Sequence, residues 1–205
     1  MQKPHAPLAV AALFALLIPT LAVAQRPLSA AGRSVVYAPH GIVATSQPLA
    51  SSAGLAVLRA GGNAIDAAVT AAAVLSVTEP MMTGMGGDMF ATVWVAKEHR
   101  LVAINASGRA GALMTREALL ARGRHEMPAR GAETVTVPGA LAGWDALLKK
   151  YGTISLAKAL APAIKYAEEG YPVTPIISRD WTDAEQVLEL DSSAKATYMP
   201  GGHAP

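Results

Sequence analysis

Gly61-Gly62-Asn63-Ala64-Ile65-Asp66-Ala67-Ala68 opens the run that organises this chain, and Val69-Thr70-Ala71-Ala72-Ala73-Val74-Leu75-Ser76-Val77-Thr78 continues it. Asn63 stands where a helix N-cap belongs, and Asp66, three residues on, puts an acidic group in the first turn. From 64 to 78 nearly every residue is small and apolar, so the predicted helix has no polar face and belongs in the interior. It is too short for a bilayer span, which takes about 20 residues. Just upstream, Leu49, Ala53, Ala56, Val57 and Ala60 recur at three- and four-residue spacing and predict an amphipathic helix over residues 47–60. Gly61 and Gly62 end it, because the residue after a helix often needs a positive φ.

Working outward, residues 34–37 and 42–45 read as short β-type runs around a Pro39-His40-Gly41 turn. Residues 89–96 and 101–105 read as strands joined by a four-residue hairpin connection at 97–100. A short helix is expected over 115–122, and Glu133-Thr134-Val135-Thr136-Val137 alternates like a strand. Pro138 can start a helix over 139–150, closed by Tyr151-Gly152. Another helix spans 155–169, with Pro162 inside it as a kink or restart. A last amphipathic stretch covers 175–190, and residues 192–205 show no periodicity. The fold class predicted is α+β, helix-rich with a few antiparallel strands, and no internal repeat is visible.

The chain has 205 residues, of which 52% are hydrophobic and 16% charged, with no cysteine. This composition excludes a disordered tail, a disulfide scaffold and any thiolate chemistry. Aromatic residues make up 5%, and 17 Lys and Arg face 15 Asp and Glu. Neither base stacking nor a basic nucleic-acid surface is expected from such numbers. At the N-terminus, Lys3 precedes an apolar run over residues 8–18, then Pro19 and the exit Ala22-Val23-Ala24. That order of features is a cleaved export signal over residues 1–24, with residues 25–205 as the working part. The run would span roughly 16 Å as a helix, about half a hydrocarbon core, which disfavours an uncleaved anchor and any stable membrane span. The expected location is periplasmic or secreted, in a bacterium.

Most familiar catalytic patterns are missing. Five histidines are scattered without a pair at helical spacing, so no metal is expected. There is no nucleophile elbow. Gly84-Met85-Gly86-Gly87 precedes a strand and lacks the lysine of a phosphate-binding loop, so it reads as a tight turn with close backbone packing. Glu79 and Asp88 flank it, either as a carboxylate pair or as caps and salt-bridge partners. Arg109 lies in Asn105-Ala106-Ser107-Gly108-Arg109, directly after a predicted strand. A guanidinium there is either a surface ion pair or a bidentate carboxylate binder.

Taken together, several motifs resemble the γ-glutamyltranspeptidase family. They are Gly41-Ile42-Val43-Ala44-Thr45-Ser46, Gly61 to Ala68, Ser76-Val77-Thr78-Glu79-Pro80, Gly84-Met85-Gly86-Gly87-Asp88-Met89-Phe90, Ser107-Gly108-Arg109-Ala110, Thr136-Val137-Pro138-Gly139-Ala140 and Leu148-Lys149-Lys150-Tyr151-Gly152. The resemblance covers roughly residues 35–190, the N-terminal part of the family's large subunit. It implies a partial αββα N-terminal-nucleophile hydrolase fold and a precursor that cuts itself into two subunits. It also implies a γ-glutamyltransferase or glutathione hydrolase reaction, in which a threonine at the new N-terminus attacks a γ-glutamyl amide. Water or an amino acid then resolves the acyl-enzyme, with no cofactor. Arg109 matches the large-subunit arginine that grips the substrate α-carboxylate, so it is the substrate-binding candidate, and Gly86 and Gly87 match a structural glycine turn. No catalytic residue is placed in this chain. The threonine and the partner small subunit are expected in a missing C-terminal segment, leaving this portion inactive by itself.

Two features depart from many transpeptidases. Ala110-Gly111-Ala112 follows Arg109 where an acidic residue and Met-Ala-Pro are common, and Asp88 stands where a further glycine is usual. Both fit a branch that includes cephalosporin-acylase-like amidases, which is the alternative reading. A non-catalytic exported binding remnant is the third.

Overall fold

Two short caps set the first corner of the molecule, whose computed structural model describes residues 36–205. The export signal expected over residues 1–24, and residues 25–35, lie outside the described residues. The chain divides into residues 1–40 and residues 41–205. In the first unit, the described residues 36–40 are exposed and form no strand, and the second holds every element described below.

Helix α1 (Pro48–Arg59) begins at Gln47, whose buried side-chain oxygen accepts from Leu49 and Ala50 N–H. Pro48 sits where its missing N–H costs nothing. The helix stops at Gly61, which adopts φ +87°, a conformation only glycine enters freely. Asn63 then caps α2 (Ala64–Thr78), and Asp66 returns a bond to the Asn63 N–H, completing a capping box. Helix α2 is the most deeply buried element, although Ala64 and Ala68 in its first turns remain exposed. Its alanines permit close packing: a Cβ on Gly54 of α1 would stand 3.0 Å from the Ala67 carbonyl oxygen.

Strands β1 (Met89–Val95) and β2 (Arg100–Ala106) pair antiparallel, from Met89↔Ala106 to Val95↔Arg100. A 3₁₀ turn at Ala96–Glu98 and a left-handed His99 make the connection. One face of the hairpin, with Met89, Ala91, Val93 and Ile104, packs on the core. The other exposes Phe90, Trp94 and Leu101, each more than half accessible. After α3 (Arg116–Ala121), helix α4 (Ala140–Tyr151) buries Trp144, Leu147 and Leu148 against α2 and the hairpin. Helix α5 (Leu156–Glu169), capped by Ser155, lies along α2.

Several expectations need correction. Residues 42–45 form no strand, because Thr45 turns its N–H and hydroxyl to Ser51 and Gln47 at the start of α1. Residues 133–137 form no strand either: a 3₁₀ turn occupies Ala132–Thr134, and the Val137 N–H goes to the Arg109 carbonyl. Pro162 does not restart α5, which runs through it; the Lys158 carbonyl that loses its donor is on an exposed residue. The stretch 175–190 divides into α6 (Pro175–Asp183) and α7 (Glu185–Leu188), where Ala184 bonds back three residues to Trp181. The supposedly aperiodic tail holds α8 (Ser192–Tyr198), capped by Asp191 and anchored by Tyr198 against Trp181 and by buried Met199. Among the described residues, no helix is long and apolar enough to cross a membrane.

Candidate substrate-binding site at the exit of β2

Where β2 ends, Asn105 accepts the Ser107 N–H with its side chain and turns the backbone out of the sheet. Gly108 follows at φ +69°, pressed against the Val137 carbonyl. Any Cβ there would collide with that oxygen, so glycine is required on two counts. Gly139 and Gly143 are required by close approach alone: a Cβ on the first would strike the Ala106 carbonyl, and on the second the Ala106 Cβ. These contacts let the start of α4 lie directly against the end of β2.

The result is an open cleft of about 680 Å³, lined by Ile104, Asn105, Ser107, Arg109, Val137 and the small residues of α4. Arg109 carries the only charge among its lining residues. Its side chain is exposed and forms no ion pair among the described residues, so the surface ion-pair alternative has no partner there. A lone guanidinium at an otherwise uncharged cleft is suited to pair its fork with an incoming carboxylate or similar anion.

Arg109 is fixed through its backbone. Its carbonyl accepts the Val137 N–H at 2.8 Å. Beside this bond, the Thr136 hydroxyl lies 3.1 Å from the Ser107 carbonyl and 3.0 Å from Asp88 Oδ1. The intervening excursion is held at its far side by Glu133, which bonds Arg122 at 3.1 Å and Arg124 at 2.8 Å. Burial works against the Glu133 charge, but the two arginines outweigh it and hold its pKa below the ordinary carboxylate value.

The glycine turn acts as backbone. The Gly87 carbonyl accepts the N–H groups of Gly139 and Ala140 and so caps α4 where no side chain does. Glu79 and Asp88 have separate partners. Buried Glu79 accepts the Ser46 hydroxyl at 2.6 Å, while exposed Asp88 takes that of Thr136. No cluster of His, Asp or Glu suited to a metal occurs among the described residues. The sequence reading missed the Asp88–Thr136 link, and the only signal for it is the polar residue beside each of two glycine-containing turns.

A profile of the gamma-glutamyltranspeptidase family matches residues 50–205. The chain belongs to the gamma-glutamyltranspeptidase family. Over 84% of its length it is 44% identical to the glutathione hydrolase-like YwrD proenzyme of Bacillus subtilis, of which it covers 31%. It superposes on the crystal structure of cephalosporin acylase from Bacillus halodurans with a TM-score of 0.81 and 48% identity, over 88% of this chain and 35% of that one. On Helicobacter pylori gamma-glutamyltranspeptidase the TM-score is 0.76 with 35% identity, over 83% and 50%. The chain spans about a third of the length of the curated relatives it matches. Its helices and hairpin are thus part of the family's αββα fold.

The glycine at 108 offers a direct test of the cleft geometry. Gly108→Ala is expected to cost about 2–3 kcal/mol, from the positive φ and the collision with Val137. Denaturant unfolding of the protein expressed from its complete gene checks this value.

Proposed function

We propose that this chain provides the carboxylate-binding part of an exported enzyme that cleaves γ-glutamyl amides, glutathione among them. A threonine elsewhere in the family polypeptide attacks the γ-carbonyl, with its own α-amine as base. The amine leaves, and an ester-linked acyl-enzyme passes to water or to an amino acid or peptide. The leader over residues 1–24 directs the protein to the periplasm or beyond. The observation that carries this reading is Arg109, a charged group with no ion-pair partner among the described residues, lining an otherwise uncharged cleft. Its role is to bind the α-carboxylate of the donor.

The likeness to a cephalosporin acylase favours a second reading, an amidase for glutaryl-type side chains. A glutaryl amide differs from a γ-glutamyl amide only in lacking the α-amine, so the carboxylate that Arg109 meets is common to both. The protein expressed from its complete gene should be assayed with γ-glutamyl and glutaryl p-nitroanilides. Faster release from the γ-glutamyl compound is expected. Faster release from the glutaryl compound establishes the second reading, and release from neither overturns both.

A further inference from the structure

Arg109 has an exposed side chain, so its direction is set by the backbone that carries it rather than by packing. That backbone is tied at the Val137 N–H and, one step away, at Thr136. The Thr136 hydroxyl lies within hydrogen-bond range of two acceptors on different segments: the Ser107 carbonyl at the exit of β2 and the Asp88 carboxylate beside the glycine turn. One hydroxyl proton serves both, shared or alternating, and the ionised carboxylate is the stronger acceptor. The segment before Asp88 is itself locked to α4, because Gly87 takes the Gly139 and Ala140 N–H groups. Asp88 therefore gives Thr136 a fixed anchor, and Thr136 passes that position to Ser107-Gly108-Arg109.

We propose that Thr136, anchored by Asp88, is a positioning residue for donor binding, aiming the Arg109 guanidinium into the cleft. This rests on the reading of Arg109 given above. Neither Thr136 nor Asp88 lines the cleft, so both act through Arg109 rather than on the substrate.

The test uses the protein expressed from its complete gene, with γ-glutamyl p-nitroanilide as donor. Thr136→Val keeps the shape and removes the hydroxyl. It is expected to raise KM about tenfold with kcat within about twofold, because a displaced binding group weakens the complex more than the chemistry. Thr136→Ser restores the wild-type KM. Asp88→Ala, at an exposed position outside residues 107–109 and 133–137, is expected to raise KM by about the same factor. In an Arg109→Ala background, Thr136→Val adds no further rise. A wild-type KM in Thr136→Val beside a raised KM in Arg109→Ala overturns the proposal alone. So does an equal effect of Thr136→Val in both backgrounds, or a fall in kcat at constant KM. An unchanged KM in Arg109→Ala removes the reading of Arg109 and the positioning role with it.

Discussion

Arg109→Ala is expected to lower kcat/KM for a γ-glutamyl donor roughly 30- to 160-fold, the equivalent of about 2–3 kcal/mol for a charge-assisted contact. The loss should fall mainly on KM, because the α-carboxylate is remote from the scissile bond and bears the same charge in the ground and transition states. Arg109→Lys keeps the charge but not the planar fork, and should recover only part of the loss. The substitution removes no core contact, since the side chain is exposed and unpaired among the described residues. Unfolding stability should therefore stay near that of the parent. Steady-state kinetics beside a denaturant titration separates the two quantities.

The second large effect is on stability. Asp66 is fully buried at the start of α2 and accepts four hydrogen bonds. One comes from the Asn63 N–H at 2.9 Å and three from the turn between α4 and α5: the Thr153 N–H at 2.8 Å, the Thr153 hydroxyl at 2.6 Å and the Ile154 N–H at 3.3 Å. Asn63 adds a bond from its side chain to the Tyr151 carbonyl at 2.6 Å. Asp66→Ala leaves these donors without an acceptor and should cost about 4 kcal/mol or more, enough to unfold a marginal protein. Asp66→Asn keeps one acceptor oxygen and should cost about half as much. The cost has a pH signature. Burial opposes the Asp66 charge, but the bonds from Thr153, Asn63 and Ile154 outweigh it and lower the pKa below 3.8. A carboxyl with a depressed folded pKa contributes its stability above the unfolded value and loses it as pH falls through the folded one. The difference in stability between parent and Asp66→Asn should hold steady above about pH 5 and shrink below about pH 4. Urea titrations across that range measure it.

Asp66 also shows how far one sequence could be read. Its local half was legible: Asn63 and Asp66 at cap spacing, after two glycines, define a helix start. Its distant half was not, because Thr153 lies 87 residues away and nothing local marks it as a partner. The hairpin was equally legible, since alternation from Met89 to Val95 is a property of the segment alone. Residues 133–137 carry the same alternation, yet they serve as the neck beside Arg109. β-branched residues need a neighbouring strand to form a ladder, and here the Val137 N–H met the Arg109 carbonyl instead. In the tail, α8 escaped notice because Trp181, from another helix, supplies part of its anchorage. At the site, the position of Arg109 after a strand was visible, and the cleft was not. That cleft depends on three glycines, at 108, 139 and 143, whose need appears only when the end and exit of β2 are brought against residues 137–143.

The most direct measurement pairs substrate and protein changes at one contact. A γ-glutamyl p-nitroanilide and its α-carboxamide analogue, which lacks only the negative charge, are compared in the parent protein and in Arg109→Ala, each expressed from the complete gene. A carboxylate gripped by Arg109 predicts that the parent prefers the charged donor by about 30-fold or more and that the preference collapses in Arg109→Ala. An undiminished preference for the charged donor in Arg109→Ala would contradict the account.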